Sequence, residues 1–289
     1  MKIISFKKFF IFFLLIIILC SSVLLYSHFI GVKGLNVKEY KISYSKLNDD
    51  FYGLKIVHFS DLFYGKTINS NELKKIVNQI NLTKPDLVVF TGDLINPNIK
   101  LNEKEKINII ELLSNIDSNI GKYQIKGEQD INNKHYDEIM NNSGFIDLND
   151  SYDLIYTNSN NYISLIGMSS NYKENSKEII NEKINNSINT INNEEIKSSY
   201  TILIMHEPDF IDKIDISPYN LILAGHSLNG QVRLPFIGAI MKNKYGTKYS
   251  NSYYKKNKTD IYISGGLGVK DNEFRLFNHP SFNLYRLTK

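Results

Sequence analysis

Three apolar stretches of this sequence each stop at a small residue and then present an aspartate or a histidine. They are FSDLF at 59–63, TGDLI at 91–95 and LILAGHSLNGQ at 221–231. A short apolar run that ends abruptly is typical of a buried strand, so the next side chain lies at the end of a sheet. Carboxylates and imidazoles are ligands for divalent cations. Side chains this far apart in sequence meet only after folding, so we expect a packed α/β domain with a metal site at one sheet edge.

Apolar runs alternate with helical spacings along the rest of the chain. The fully apolar runs indicate sheets that are covered on both faces. The pattern predicts helices at 71–81, 103–116 and 173–196, and strands at 37–44, 54–59, 87–90, 122–126, 162–168, 200–205, 221–224, 261–265 and 282–287.

The N-terminal segment predicts a membrane anchor. Residues 9–30 carry no Asp, Glu, Lys or Arg, and roughly 20 apolar residues of helix are enough to cross a bilayer. We therefore divide the chain into an anchor at 1–30, a connection with an edge strand at 31–48, and one domain at 49–289. A cleaved signal peptide is the alternative, although its apolar core would be only about 7–15 residues long.

Charge indicates which side of the membrane the body occupies. The three lysines before residue 9 favour a cytoplasmic N-terminus, and Lys33, Lys38 and Lys41 on the other flank weaken that bias. We expect a single-pass protein of the cell membrane with its body on the extracytoplasmic side. The net charge is +4, and those first three lysines supply three of it. The nearly neutral body argues against a nucleic-acid partner. The one cysteine, Cys20, excludes an intramolecular disulfide.

The order of the aspartate and histidine signals resembles that of the calcineurin-like metallophosphoesterases. Their motifs run D-x-H, G-D-x-x-D, G-N-H-D/E, a lone histidine and G-H-x-H. Here the matching positions are Asp61, Asp93, GEQD at 127–130, His206 and His226. The flanks resemble the membrane-anchored bacterial subgroup, namely HEPDF at 206–210, GHSLNGQVRLPFIGAI at 225–240 and YISGGLG at 262–268.

The resemblance implies a fold and a chemistry. The fold is α/β, a two-sheet β-sandwich flanked by helices and preceded by one transmembrane helix. The activity is hydrolysis of phosphate esters, in which two cations about 3.5–4 Å apart clamp the phosphate. By resemblance, Asp93 bridges the cations and Asp61 serves the first. Glu128, His206 and His226 complete the second.

Several positions depart from the family motifs. Phe63 and Leu228 stand where the family has two histidines of the first cation, and Asn96 replaces the second aspartate of G-D-x-x-D. Glu128 replaces an asparagine, and Gln129 replaces the catalytic histidine. The first cation position therefore keeps too few ligands, whereas the second keeps four.

We predict one divalent cation, such as Mn, Fe or Zn, at the second position. Asp61, Asp93 and Glu128 would repel one another without it. Two cations with coordination completed by water, or no cation with Lys126 as the neutralising charge, are the alternatives left open.

Function follows from these losses. Because Gln129 cannot donate a proton at neutral pH, no catalytic residue is assigned, and a weakened metal-dependent phosphoesterase is the first hypothesis. The anchor favours a phosphate-ester substrate at the membrane, such as a phospholipid or an envelope precursor. The second hypothesis is an inactive protein that binds a lipid phosphate or a protein partner through the former cleft.

Three further polar residues have structural or functional interpretations. His58 lies inside an apolar strand and is expected to pack there. Asp130 either orients loop backbone or adds to the cluster. Arg233 either contacts phosphate or supports the surface structurally.

Overall fold

The computed structural model describes residues 6–157, 159–170, 177–192 and 198–289. The helices are α1 (Phe6–Phe29), α2 (Ser70–Leu82), α3 (Glu103–Ser114), α4 (Tyr136–Asn142) and α5 (Lys177–Asn192). The strands are β1 (Asn36–Ser43), β2 (Lys55–Phe59), β3 (Leu87–Phe90), β4 (Gly121–Gln124), β5 (Ile146–Asp147), β6 (Tyr152–Tyr156), β7 (Tyr162–Met168), β8 (Tyr200–Met205), β9 (Leu221–Ala224), β10 (Arg233–Leu234), β11 (Gly238–Ala239), β12 (Tyr253–Lys256), β13 (Thr259–Ile263) and β14 (Ser281–Thr288).

Two six-stranded sheets form the centre of the molecule. The strand order is β1-β14-β2-β3-β4-β5 in the first sheet and β12-β13-β9-β8-β7-β6 in the second, while β10 and β11 form a separate hairpin. Successive side chains of a strand point to opposite faces. Accordingly, Ile56 and Val89 join Ile204 and Leu223 in one buried cluster between the sheets. Val57 belongs instead to a cluster with residues of the helices that cover the first sheet.

Helix α2 illustrates how the covering layer is specified. The Asn69 side chain caps the helix by accepting a 2.8 Å hydrogen bond from the Asn71 amide, which satisfies a backbone donor that has no partner within the helix. Leu73, Ile76 and Ile80 are buried on one face, and burial of each such side chain contributes about 1.5–3 kcal/mol.

The fold class predicted from the sequence is confirmed, since the protein is a mixed α/β structure with two sheets. The long strands and helices also lie where the pattern placed them. The pattern missed α4, β5, β6 and the strands β10 to β12, which have only two to seven residues each and lack the continuous apolar runs of β3 and β9. Residues 173–176 and 193–196 of the predicted third helix lie outside the described residues.

Helix α1 is attached to the body at its C-terminal end. Residues 7–29 are apolar enough to cross a membrane, and none of the apolar window is buried. At the end of the helix the Arg275 amide donates a 3.0 Å hydrogen bond to the Ser27 carbonyl. Gly31 permits this approach, because a Cβ there would lie only 1.8 Å from the Arg275 oxygen.

Strand directions place this attachment at the same sheet edge as the residues that follow β2. Strand β1 begins at Asn36 opposite Ser281 and runs parallel to β14. Strand β14 runs antiparallel to β2, with Asn283 opposite His58. The end of α1 and Asp61 therefore share one edge of the first sheet.

Candidate metal centre

Four strands deliver polar side chains to one end of the sandwich. Parallel strands β2 and β3 end in register at Phe59 and Phe90, and are followed by Asp61 and Asp93. Parallel strands β8 and β9 end in register at Met205 and Ala224, and are followed by the candidate histidines. The two sheets bring these ends together, since the candidate ligand atoms of Asp93 from the first sheet and of His206 and His226 from the second lie within 4.8 Å of one another.

The turns after these strands have unusual backbone conformations. Asp61, Asp93 and His226 have φ values of 52°, 63° and 61°, which are uncommon for residues other than glycine. Such backbone costs of order 1–3 kcal/mol per residue and concentrates at functional sites. Gly92 is required for another reason, because a Cβ there would lie 2.2 Å from the Gly127 nitrogen.

His206 and Asp93 form the buried centre of the cluster. The Nδ1 of His206 donates to the Thr91 carbonyl at 2.5 Å, so Nε2 faces Asp93 Oδ2, 3.3 Å away. Among the described residues, Nε2 has no hydrogen-bond partner. Burial opposes protonation, but the Asp93 charge outweighs it and raises the pKa of His206 well above the usual value. A proton or a cation is therefore needed between these two groups.

His226 is oriented so that its other nitrogen faces the cluster. Its Nε2 donates to the Lys244 carbonyl at 2.5 Å, which leaves the lone pair on Nδ1. The ligand atoms of Asp93, His206 and His226 all lie within 4.8 Å of one another, and the three residues are buried. Hydrogen bonding of the second ring nitrogen to a carbonyl is common for metal-binding histidines. This arrangement fits one divalent cation.

A second set of side chains surrounds His226 on its more open side. Ligand atoms of Glu128, Glu207 and His226 also lie within 4.8 Å of one another, and Glu128 Oε2 is 4.0 Å from the Nδ1 of His226. Glu207 was not among the residues predicted from the sequence, although it directly follows the lone histidine in HEPDF. Its Oε2 accepts a 2.8 Å hydrogen bond from Ser170.

Asp61 lies beside this cluster but in neither of the two groups. Its Oδ2 accepts hydrogen bonds from the Ser60 hydroxyl and, at 3.0 Å, from the His226 amide. Its Oδ1 is buried and has no hydrogen-bond partner in the part of the chain that the structure describes. Burial raises the pKa of Asp61, and the Asp93 charge adds to the shift while His206 opposes it. The role of Asp61 as a metal ligand stays a prediction.

The surroundings of Asp61 are apolar where the family motifs have histidines. Phe63 and Leu228 are both buried. A Cβ on Gly266 would lie 2.2 Å from Leu228 Cδ2, 3.1 Å from Asp61 Cβ and 3.3 Å from Arg275 Nη2. The guanidinium of Arg275 is fully buried and donates at 2.7 Å to the Gly268 carbonyl. Burial lowers its pKa to about 10 against the opposing charge of Asp61. Arg275 thus places a positive charge in the neighbourhood of Asp61.

Asp130 orients the loops that carry the ligands. Its carboxylate accepts hydrogen bonds from the amides of Asp93 at 2.6 Å, Leu94 at 2.9 Å and Gly127 at 2.9 Å. Burial and the neighbouring Asp93 charge raise the pKa of Asp130 to about 7. Of the two interpretations of Asp130, these contacts favour the orienting one.

The other candidates are also placed by their contacts. Lys126 pairs with Asp137 at 2.8 Å, which disfavours the alternative that its charge neutralises the carboxylates of the cluster. Arg233 donates at 2.7 Å to the Ser250 carbonyl, in agreement with a structural role. His58 is buried, bonds to the Thr91 hydroxyl at 2.9 Å, and has its pKa lowered by burial to about 3, which confirms the packing interpretation.

A cavity of about 730 Å³ opens beside the cluster. Glu128 and Gln129 lie on its wall, together with the basic side chains Lys100, Lys134 and His135. The backbone amide of Gln129 donates a 2.8 Å hydrogen bond to Asp93 Oδ1, so the cavity wall and the buried cluster are directly linked. The cavity is large enough for a small phosphate ester, and the positive charges of Lys100 and Lys134 suit the negative charge of its phosphate.

Comparison with known proteins agrees with this arrangement. Residues 54–267 match the family model for calcineurin-like phosphoesterases. The chain belongs to this family.

Several related proteins are also described as metallophosphoesterases. The chain is 29% identical to the uncharacterized metallophosphoesterase YkuE of Bacillus subtilis, over 91% of this chain and 88% of that protein. It is 28% identical to the uncharacterized metallophosphoesterase Cj0846 of Campylobacter jejuni, over 85% of this chain and 61% of that protein. It is 25% identical to a transmembrane protein with a metallophosphoesterase domain from Danio rerio, over 80% of this chain and 52% of that protein. The chain thus spans only part of the last two proteins.

The contacts of Asp130 predict a large effect on stability. In Asp130→Ala, three buried amides lose their acceptor, at about 1–3 kcal/mol for each donor left unsatisfied. We expect the free energy of unfolding of the detergent-solubilised chain to fall by about 3 kcal/mol or more. Urea denaturation followed by circular dichroism measures this. The exposed Asp117→Ala is the control and should change it by less than about 0.5 kcal/mol. A similarly small loss for Asp130→Ala would contradict the orienting role.

The cluster geometry predicts metal content. The purified full-length chain, incubated with Mn²⁺ or Zn²⁺ and desalted, should retain about one ion per chain, because one set of nitrogen and oxygen ligands is complete. His206→Ala or His226→Ala should lower this toward zero, whereas His135→Ala outside the cluster should not. Plasma mass spectrometry gives the ratio. A metal-free wild-type chain, or full retention by His226→Ala, would refute the site.

Proposed function

We propose that this chain is a membrane-anchored phosphoesterase whose site holds a single divalent cation, such as Mn, Fe or Zn. The observation that carries the proposal is the buried set of Asp93, His206 and His226, with ligand atoms within 4.8 Å of one another. Membership of the calcineurin-like phosphoesterase family supports the reaction class.

Each residue of the cluster has a defined task in this proposal. Asp93, His206 and His226 hold the cation, and Glu128 contributes an oxygen from the open side. The cation, when bound, would act as a Lewis acid toward a phosphoryl oxygen of the substrate. Thr91 fixes the ring of His206 through its carbonyl. The basic wall of the neighbouring cavity attracts the phosphate.

Gln129 limits the reaction. It stands at the position of the family's catalytic histidine, and an amide cannot donate a proton to a leaving group at neutral pH. General acid catalysis is typically worth about 10²–10⁴-fold. We therefore propose a weakened enzyme that favours esters whose leaving groups need no protonation.

The position of the site favours a substrate at the membrane. Helix α1 reaches the body at the same sheet edge as Asp61, so an anchored molecule would hold its site toward the bilayer. The lysines before residue 9 favour an extracytoplasmic body. We propose a phosphate ester with a lipid portion, of the phospholipid or envelope-precursor class.

A second candidate is a protein that binds a lipid phosphate or a protein partner without hydrolysis. The burial of Phe63 and Leu228 beside Asp61 favours it, because these side chains leave that position without two ligands.

Turnover separates the two candidates. We expect the full-length chain with Mn²⁺ to hydrolyse bis(p-nitrophenyl) phosphate. Asp93→Ala should reduce the rate by more than about 100-fold, because loss of even a residue that only supports a metal ligand lowers activity by up to about that factor. Asp271→Ala removes an exposed carboxylate and should leave the rate unchanged. Activity that survives in Asp93→Ala would come from a contaminant, and no activity at all would favour the binding protein.

A histidine restored at position 129 should make the gain in hydrolysis rate depend on the leaving group of the ester. Gln129→His should raise the hydrolysis of a phenyl phosphate diester by about 10²-fold or more, since its leaving group requires a proton. It should change the p-nitrophenyl diester far less. Asn132→His adds an imidazole elsewhere on the same cavity wall and serves as the control. Equal effects on the two esters, or none on either, would contradict the assigned position.

A further inference from the structure

The hairpin formed by β10 and β11 exposes a concentrated apolar surface. Phe236 at its tip is fully exposed, and Ile237 is 73% exposed. Ile240 and Phe277 are also exposed. Ile240 directly follows β11, and Phe277 lines one surface depression together with Phe236 and Ile237. Other exposed large apolar side chains of the described body, such as Tyr52 and Leu82, are isolated from one another along the chain. Single exposed apolar residues are ordinary, whereas a cluster marks an interaction surface.

The hairpin holds this surface in a fixed conformation. Strands β10 and β11 pair through Arg233 with Ala239 and Leu234 with Gly238. Phe236 has a φ of 65°, and the Ile237 amide donates at 2.8 Å to the Pro235 carbonyl. These bonds close a tight turn that directs the Phe236 ring away from the body. An exposed phenylalanine held at positive φ is not explained by packing within the chain.

A short series of contacts connects the hairpin to α1. The Arg233 amide donates at 3.0 Å to the Leu276 carbonyl. Phe274, two residues before Leu276, packs against His28 with the ring centroids 5.4 Å apart and the rings tilted. The Nδ1 of His28 bonds to the Glu273 carbonyl at 2.9 Å. The segment between the hairpin and the helix is therefore continuous, and it fixes the hairpin beside the end of α1.

The charge around the hairpin suits an anionic lipid surface. Residues 227–259 contain no aspartate or glutamate but seven lysines and arginines. Lys248, Lys255 and Lys256 pair with carboxylates of the body. Arg233 lies at the base of the hairpin, and the exposed Lys242 and Lys244 follow it. Basic residues next to an inserted apolar segment attract anionic headgroups, each worth about 1 kcal/mol near the surface.

We propose that the tip of this hairpin, with Phe277, inserts into the bilayer leaflet at which α1 emerges and forms a second membrane contact. The proposal rests on the membrane anchor of the proposed function. Val232 to Phe236 lie only six to ten residues after His226 in sequence, so insertion of the hairpin fixes the orientation of the candidate metal centre relative to the bilayer.

The chain has no tryptophan, which makes a direct test simple. Phe236→Trp and, separately, Phe277→Trp each introduce one fluorescent reporter at an exposed position. The control, Tyr52→Trp, introduces a reporter before the start of β2, at the end of the first sheet opposite to α1. The full-length variants are reconstituted into mixed phosphatidylcholine and phosphatidylglycerol vesicles, with or without lipid brominated along the acyl chain. We expect brominated lipid to reduce the emission of the first two variants by about twofold, since aromatic rings settle at the membrane interface, and to leave the Tyr52→Trp emission unchanged.

Each other outcome overturns the proposal in a distinguishable way. If the protein stays in the vesicles after alkaline washing but brominated lipid does not quench the reporter at 236 or 277, the anchor is retained and insertion of the hairpin is excluded. A reporter that is shielded from acrylamide in native membranes but not quenched by brominated lipid indicates a protein partner in place of lipid. A chain that is washed off the vesicles refutes the anchor of the proposed function, and the second membrane contact with it.

Discussion

The candidate site depends on the contact between His206 and Asp93, which are both buried at one end of the sandwich. The Thr91 carbonyl determines which nitrogen of His206 carries its proton, and the remaining nitrogen faces a buried carboxylate at 3.3 Å. Two acceptors cannot share such a position without a positive charge between them, because an uncompensated buried charge is very costly. A proton can supply that charge, but the neighbouring Nδ1 of His226 makes the same position suitable for a divalent cation.

The two halves of the family's site have diverged in different ways. Around His206 and His226 the ligands are present and oriented by backbone carbonyls. Around Asp61 the side chains are Phe63, Leu228 and the buried Arg275. A guanidinium balances a carboxylate electrostatically but cannot polarise a phosphoryl oxygen in the way that a metal ion does. In the function that we propose, this difference lets the fold persist with a weakened chemistry.

Much of this arrangement could be predicted from the sequence because it depends on strands that are continuous apolar runs. Asp93, His206 and His226 each follow such a run, so the pattern placed them at strand ends, and the family resemblance identified them as candidate ligands. Glu207 and Asp130 were harder, since a single carboxylate in a loop becomes a ligand or an orienting group only through contacts with distant residues. The exposed hairpin was missed as a secondary structure because its strands have two residues each, and its exposure is a property of tertiary packing. The pairing of Lys126 could not be foreseen for the same reason, as its partner Asp137 lies on a helix that the pattern did not reveal.

Anomalous diffraction from crystals grown with Mn²⁺ tests the central claim most directly. One strong peak is expected, within bonding distance of an Asp93 oxygen, the Nε2 of His206 and the Nδ1 of His226, with no second peak beside Phe63 and Leu228. A peak next to Asp61 alone, or no peak in the cluster at saturating Mn²⁺, would contradict the account.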